Sequence, residues 1–177
     1  SRVLADSARL PTPFLLAMQT ISMHTAYKFP GQDAYLARFE QRLRELRIDD
    51  ARLPAYRADA GIYSTILYTD AQLRRYFDAV AKLPWYANTV FVITGDHRLP
   101  EIPMGEYLDR YHVPLIIYSP LLKQARRIRA VSSQLDIMPS LLALLSHTYG
   151  LQRPARTPWL GTGLDLHDSF RNTHQLP

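Results

Sequence analysis

Hydrophobic residues enter this chain in short blocks separated by polar and turn-forming stretches. Pro13 opens the first block, Phe14, Leu15, Leu16, Ala17, Met18 and on to Ile21. It is too short for a helix and bounded by proline, which predicts a buried strand. From Asp33 the apolar positions Leu36, Phe39, Leu43 and Leu46 step by helical spacing while Arg38, Arg42, Arg44 and Arg47 take the other side. That pattern predicts an amphipathic helix with a solvated arginine face. A second helix is expected from about Ser64 to Leu83, with Ile66, Leu73, Phe77 and Val80 on one stripe and Pro84 as its stop.

The run from Asn88 to Thr94 is rich in β-branched and aromatic residues with apolar side chains on both faces, as in a strand covered on both sides, and it ends at Gly95. Residues 113–118 read as another short buried strand and 128–131 as a weaker one. The last helix is expected to open near Asp136, take Pro139 in its first turn and bury Leu141, Leu142, Leu144 and Leu145. Strands alternating with amphipathic helices predict an α/β fold, a largely parallel sheet flanked by helices, within a single domain over residues 1–177.

The composition, 47% apolar and 21% charged over 177 residues, is that of a globular domain with a packed core. No apolar run approaches the roughly 20 residues that cross a bilayer, so this chain itself is expected to be soluble. The net charge of +5 keeps anionic partners in view. The basic residues are spread along the length without a cluster interleaved with aromatics, so no nucleic-acid partner is expected. With no cysteine there is no thiolate ligand or cysteine nucleophile, and any metal chemistry falls to His, Asp and Glu.

In parallel sheets ligands bind beyond the carboxyl ends of the strands, which singles out His24 after the first predicted strand and Asp96 with His97 after the most hydrophobic one. Gly95 lets the chain leave strand geometry, so the two adjacent side chains can turn to one target. A carboxylate oxygen plus an imidazole nitrogen suits Zn²⁺ or Mn²⁺ better than Ca²⁺. Asp-His pairs also cap turns, His24 also reads as a turn histidine bonded to a backbone carbonyl, and His112 as a cap of the sheet. Arg126, Arg127 and Arg129 form either a phosphate grip or a solvated face.

Four ordered blocks carry a resemblance. Tyr68-Thr69-Asp70 heading a helix, then Asn88 to His97 ending Gly-Asp-His, then His112 to Pro120, then Ser132 to Leu142, resemble the alkaline phosphatase and sulfatase superfamily. Ser22 to Tyr27 resembles a block of its lipoteichoic acid synthase-like and phosphoglycerol transferase group. The resemblance covers roughly residues 13–165.

The resemblance implies an α/β, sulfatase-like catalytic domain of which residues 1–177 form the C-terminal portion. It implies Asp96 and His97 as ligands of a divalent metal, Mn or Zn more than Ca, and His24 as the catalytic contact to the substrate phosphate or leaving group. The implied substrate is a lipid headgroup phosphodiester or another sulfate or phosphate ester, with a glycan as acceptor. The implied partner is the N-terminal half of the catalytic domain, because no segment here matches the family's nucleophile, and this chain alone is expected to be inactive. The implied parent is anchored in the cytoplasmic membrane with this part periplasmic or extracellular. Sulfuric ester hydrolysis or phosphodiesterase chemistry on the same fold, and a non-catalytic domain that binds anionic lipid or glycan, are the alternatives. Arg98 stands where sulfatases usually carry glycine.

Overall fold

Gly31 adopts φ 77° and ψ 21°, a left-handed turn that suits glycine, and starts a helix, α1, Gln32–Glu45. The expected stripe is only partly the buried one: Phe39 and Leu43 are buried, whereas Leu46 lies past the helix end and is 54% exposed. A short helix, α2, Leu53–Ala58, has its proline in the first turn, where the missing N–H costs no helical bond. The long helix α3, Ala60–Val80, begins earlier than the apolar spacing predicts. Its buried positions are Ile62, Ser64, Thr65 and Val80, and Ile66 turns out to be exposed. Tyr68, Thr69 and Asp70 therefore sit within a helix rather than at its head. The Ser64 and Thr65 hydroxyls donate to the Gly61 and Ile62 carbonyls at 2.6 and 2.7 Å, which is how polar residues are accommodated in this core.

The coordinates are those of a computed structural model that describes residues 6–172. The chain divides into two compact units, with the boundary between Leu122 and Lys123.

In the first unit α1 packs on α3, with Phe39 stacked on Tyr63 at 5.5 Å between ring centroids. Tyr68 stacks on Phe29 at 4.1 Å and meets Tyr35 edge-on. Two strands follow, β1, Phe91–Thr94, and β2, Leu115–Tyr118. They pair antiparallel, Phe91 opposite Tyr118 and Thr94 opposite Leu115. Phe77 of α3 lies edge-on to Phe91 at 5.0 Å and to Tyr118 at 5.6 Å, which fixes the hairpin against the helix.

In the second unit a 3₁₀ turn, Gln134–Asp136, leads into α4, Ile137–Tyr149, which ends at Gly150 in the left-handed conformation. Pro139 falls in the first turn, as expected. The segment around 162–165 is tied to this helix start by side-chain oxygens. Asp136 Oδ1 accepts the Thr162 and Gly163 amides at 3.0 and 3.3 Å. Ser140 accepts the Leu164 amide at 2.8 Å and Ser132 the Asp165 amide at 2.9 Å. Gly161 fits because it has no side chain: a Cβ there would lie 2.1 Å from the Leu135 carbonyl oxygen.

Three expectations are corrected. Among the described residues the sheet is two antiparallel strands, not a largely parallel one. The link from β1 to β2 contains only a 3₁₀ turn, Tyr107–Tyr111, and without a crossover helix the second strand returns antiparallel. Residues 14–21 form no strand, since no strand among the described residues pairs with them, and Leu15 and Ile21 are 85% and 81% exposed. Residues 128–131 form no strand either, although Ala130 and Val131 donate backbone bonds to His167 and Arg171.

The core is also smaller than the composition suggests. Its buried apolar residues among those described are Phe39, Leu43, Ile62 and Val80. All of β2 and the α4 residues Leu144 and Leu145 are exposed. No helix among the described residues is long and apolar enough to cross a membrane.

Candidate functional site

Asp96 and His97 follow directly on the carboxyl end of β1, where the predicted departure from strand geometry takes place. Gly95 permits close packing there, because a Cβ would stand 3.2 Å from Val113 Cγ1. The His97 amide donates to Asp96 Oδ1 at 3.0 Å, the turn-capping role expected of such a pair. The His97 ring makes a second bond, Nδ1 to the Arg98 carbonyl at 2.7 Å. A carbonyl oxygen only accepts, so Nδ1 carries a hydrogen, and in the neutral ring the lone pair lies on Nε2, the arrangement in which imidazole ligates metals.

That Nε2 lies 3.7 Å from Asp96 Oδ2, with the two side chains 40% and 78% exposed. Two donors each about 2.1 Å from a tetrahedral zinc would be separated by about 3.4 Å. The pair thus comes close to the spacing of two ligands on one ion and fits half of a site. Among the described residues no group of three His, Cys, Asp or Glu side chains is placed to hold a metal.

Arg98, the departure from the sulfatase glycine, builds the loop that follows. Its amide donates to the Arg110 carbonyl at 2.7 Å, its guanidinium donates to the Pro103 carbonyl at 3.3 Å, and it lies 3.9 Å from Asp109. Asp109 in turn accepts the Gly105 and Glu106 amides. The Glu106 and Gly105 N–H bonds hold its carboxyl below the ordinary carboxylate value.

His24 occupies a tight turn after the extended segment. Its amide donates to the Ile21 carbonyl at 3.0 Å, and its carbonyl accepts from the Tyr27 amide at 2.9 Å. Its Nδ1 bonds the Thr25 carbonyl at 3.1 Å, so here too the turn-histidine reading is met and Nε2 is the ring atom left for other chemistry.

Two anchors hold this turn. The Gln32 side-chain amide donates to the Tyr27 carbonyl at 2.8 Å and to Ser64 Oγ at 3.0 Å, which ties the turn to fully buried Ser64. On the other side the Tyr27 hydroxyl donates to Glu101 Oε2, and the Thr25 hydroxyl donates to Glu101 Oε1 at 3.4 Å. The Tyr27 bond, more than the slight burial that opposes it, holds the Glu101 carboxyl below its ordinary value, with His24 adding to the effect. Burial, followed by the same bond, pushes the Tyr27 hydroxyl up.

Glu101, one of several acids in a proline-rich loop, carries no distinguishing signal in the sequence. Its role is visible only once the chain brings it to a turn 74 positions earlier.

In the second unit Arg126 forms an exposed ion pair with Asp168, 2.8 and 2.9 Å from its two carboxylate oxygens. A concavity of about 460 Å³ there is lined by Thr162, Asp165, His167 and Arg171, with Asp165 bonded to both His167 and Arg171. None of His24, Asp96 and His97 lines it.

Comparison with known proteins bears on the four motif blocks. No curated protein and no solved structure gives a significant match. A family model, Sulfatase, matches residues 2–147, which include His24, Asp96 and His97 as well as the Asp136 turn. That match spans most of the chain, and the chain belongs to the sulfatase family.

Proposed function

We propose that these residues form the C-terminal part of a divalent-metal-dependent enzyme of the sulfatase family that transfers phosphoglycerol from a lipid headgroup phosphodiester to a glycan. The observation that carries the metal reading is the Asp96 and His97 pair at the end of β1, with Oδ2 and Nε2 separated by 3.7 Å and His97 Nδ1 held by a backbone carbonyl. Asp96 and His97 are the residues that hold Mn²⁺ or Zn²⁺, which when bound supplies electrophilic activation of an ester oxygen. His24 contacts the substrate phosphate or leaving group. Its Nε2 takes a proton from an incoming alcohol or, once protonated, returns one to the departing oxygen.

Two donors from one turn hold a metal weakly, because such sites need three or four. The remaining donors and the nucleophile belong, on this reading, to an N-terminal half outside these residues, in a parent anchored in the cytoplasmic membrane. The chain of 177 residues alone is then inactive. Hydrolysis of a sulfate ester is the second reading, favoured by the family match itself.

The test is turnover by the intact parent with Mn²⁺, given a phosphatidylglycerol-type donor or an aryl sulfate. Phosphoglycerol transfer that disappears in His97→Ala supports the first reading. Sulfate release that disappears in the same variant supports the second, and turnover unaffected by His97→Ala overturns both.

A further inference from the structure

The turn that carries His24 and the loop that follows His97 are far apart in sequence, yet one side chain joins them. Glu101 presents both carboxylate oxygens to the His24 turn, Oε2 to the Tyr27 hydroxyl and Oε1 to the Thr25 hydroxyl. Glu101 follows His97 closely in the chain, so the connection between them reaches at most about 14 Å even when fully extended. The loop itself is closed by Arg98, whose amide bonds the Arg110 carbonyl at 2.7 Å, and by Asp109 on the Gly105 and Glu106 amides. It therefore offers Glu101 a fixed base. On the other side Tyr27 is held through its carbonyl by Gln32, which also bonds Ser64 in the core. Tyr27 is thus gripped at two points, its backbone by the helices and its hydroxyl by the Asp96 and His97 loop.

We infer that Glu101 is a positioning residue, a clasp that sets the His24 turn in register with the loop bearing Asp96 and His97. The clasp acts through Tyr27 and Thr25 and touches no substrate. It rests on the functional reading above only for its purpose, since the hydrogen bonds themselves do not depend on what the site binds. A carboxylate accepting from two hydroxyls orients both donors, and charge strengthens each bond relative to a neutral acceptor. Glutamine in its place keeps a carbonyl for the Tyr27 hydroxyl and an amide for the Thr25 oxygen, so it preserves the link without the charge. Alanine removes the link altogether.

Amide hydrogen exchange on the full chain tests the clasp directly. In Glu101→Ala, exchange of the 22–27 amides is expected to rise at least tenfold, with α1 and α3 unchanged and with wild-type rates restored in Glu101→Gln. Unchanged exchange at 22–27 in Glu101→Ala overturns the inference. So does an equal rise across α1 and α3, because the residue would then support the fold as a whole. Paramagnetic broadening by added Mn²⁺, read at the histidine rings, separates this result from the functional proposal. Broadening of the His97 ring together with the His24 ring in wild type, reduced to His97 alone in Glu101→Ala, supports the clasp and the metal reading together. Loss of His97 broadening in every protein counts against the metal reading while the exchange result still decides the clasp.

Discussion

At the start of α4, Asp136 accepts the backbone amide of Thr162 at 3.0 Å, while its other oxygen takes the Ser133 amide and hydroxyl at 2.7 and 3.1 Å. The residue is 2% exposed, and a buried ion is tolerated only where its lone pairs are filled. Here they are. Burial pushes its carboxyl up, and the Ser133, Thr162 and Gly163 donors outweigh that and hold it below the ordinary value of 3.8.

A depressed folded value means that ionised Asp136 stabilises the second unit above its unfolded value, and that this contribution disappears as pH falls through the lower folded one. Acid unfolding of wild type is therefore expected below pH 3.8 at this residue. Asp136→Asn turns an NH₂ toward donors and leaves buried amides unpaired, at a cost of about 1–3 kcal/mol. Its stability difference from wild type should shrink as pH drops into the acid range. A constant difference across a urea titration repeated from neutral pH to pH 2 would contradict this assignment.

Val80 is fully buried at the end of α3. Val80→Ala removes the equivalent of two methylene groups and leaves a cavity, so a loss of about 2 kcal/mol is expected in denaturant unfolding. Ile66→Ala, at an exposed position of the same helix, should cost well under half as much. The pair checks which stripe of α3 is the packed one.

Ile116 and Ile117 are 53% and 39% exposed on β2, whose outer edge is left without a strand partner among the described residues. Exposed apolar strand edges attract other chains. The isolated chain is expected to bind a hydrophobic dye and to self-associate with rising concentration, and Ile116→Lys to reduce both. Sedimentation that is independent of concentration in wild type would remove the prediction.

Mn²⁺ binding by the isolated chain should be weak and should fall at least tenfold in His97→Ala or Asp96→Ala, with His24→Ala close to wild type. Free Mn²⁺ measured by electron paramagnetic resonance reports all three. Equal loss in His24→Ala would place His24 among the metal donors.

How much of this was legible in the sequence depended on the range of the interaction. The step of Phe39 and Leu43 reveals α1 because a helix repeats within a few residues. Gly95 with Asp96 and His97 marks the strand end for the same local reason. Strand direction was not legible, since the β-branched run at 91–94 is the same whether its neighbour is parallel or antiparallel. The block at 14–21 has the hydrophobicity of a strand, but hydrophobicity records a demand for neighbours and does not supply them. Glu101 was invisible because its partners lie 74 and 76 positions away.

Gly161 carries a consequence for how this region can vary. Every other standard amino acid has a Cβ, and here that atom would be 2.1 Å from the Leu135 carbonyl oxygen and 2.8 Å from the Asp136 nitrogen. Both obstacles are backbone, so no rotamer change in a neighbour makes room. The position accepts an alphabet of one letter, and any missense change in its codon moves the main chain beside Asp136 itself.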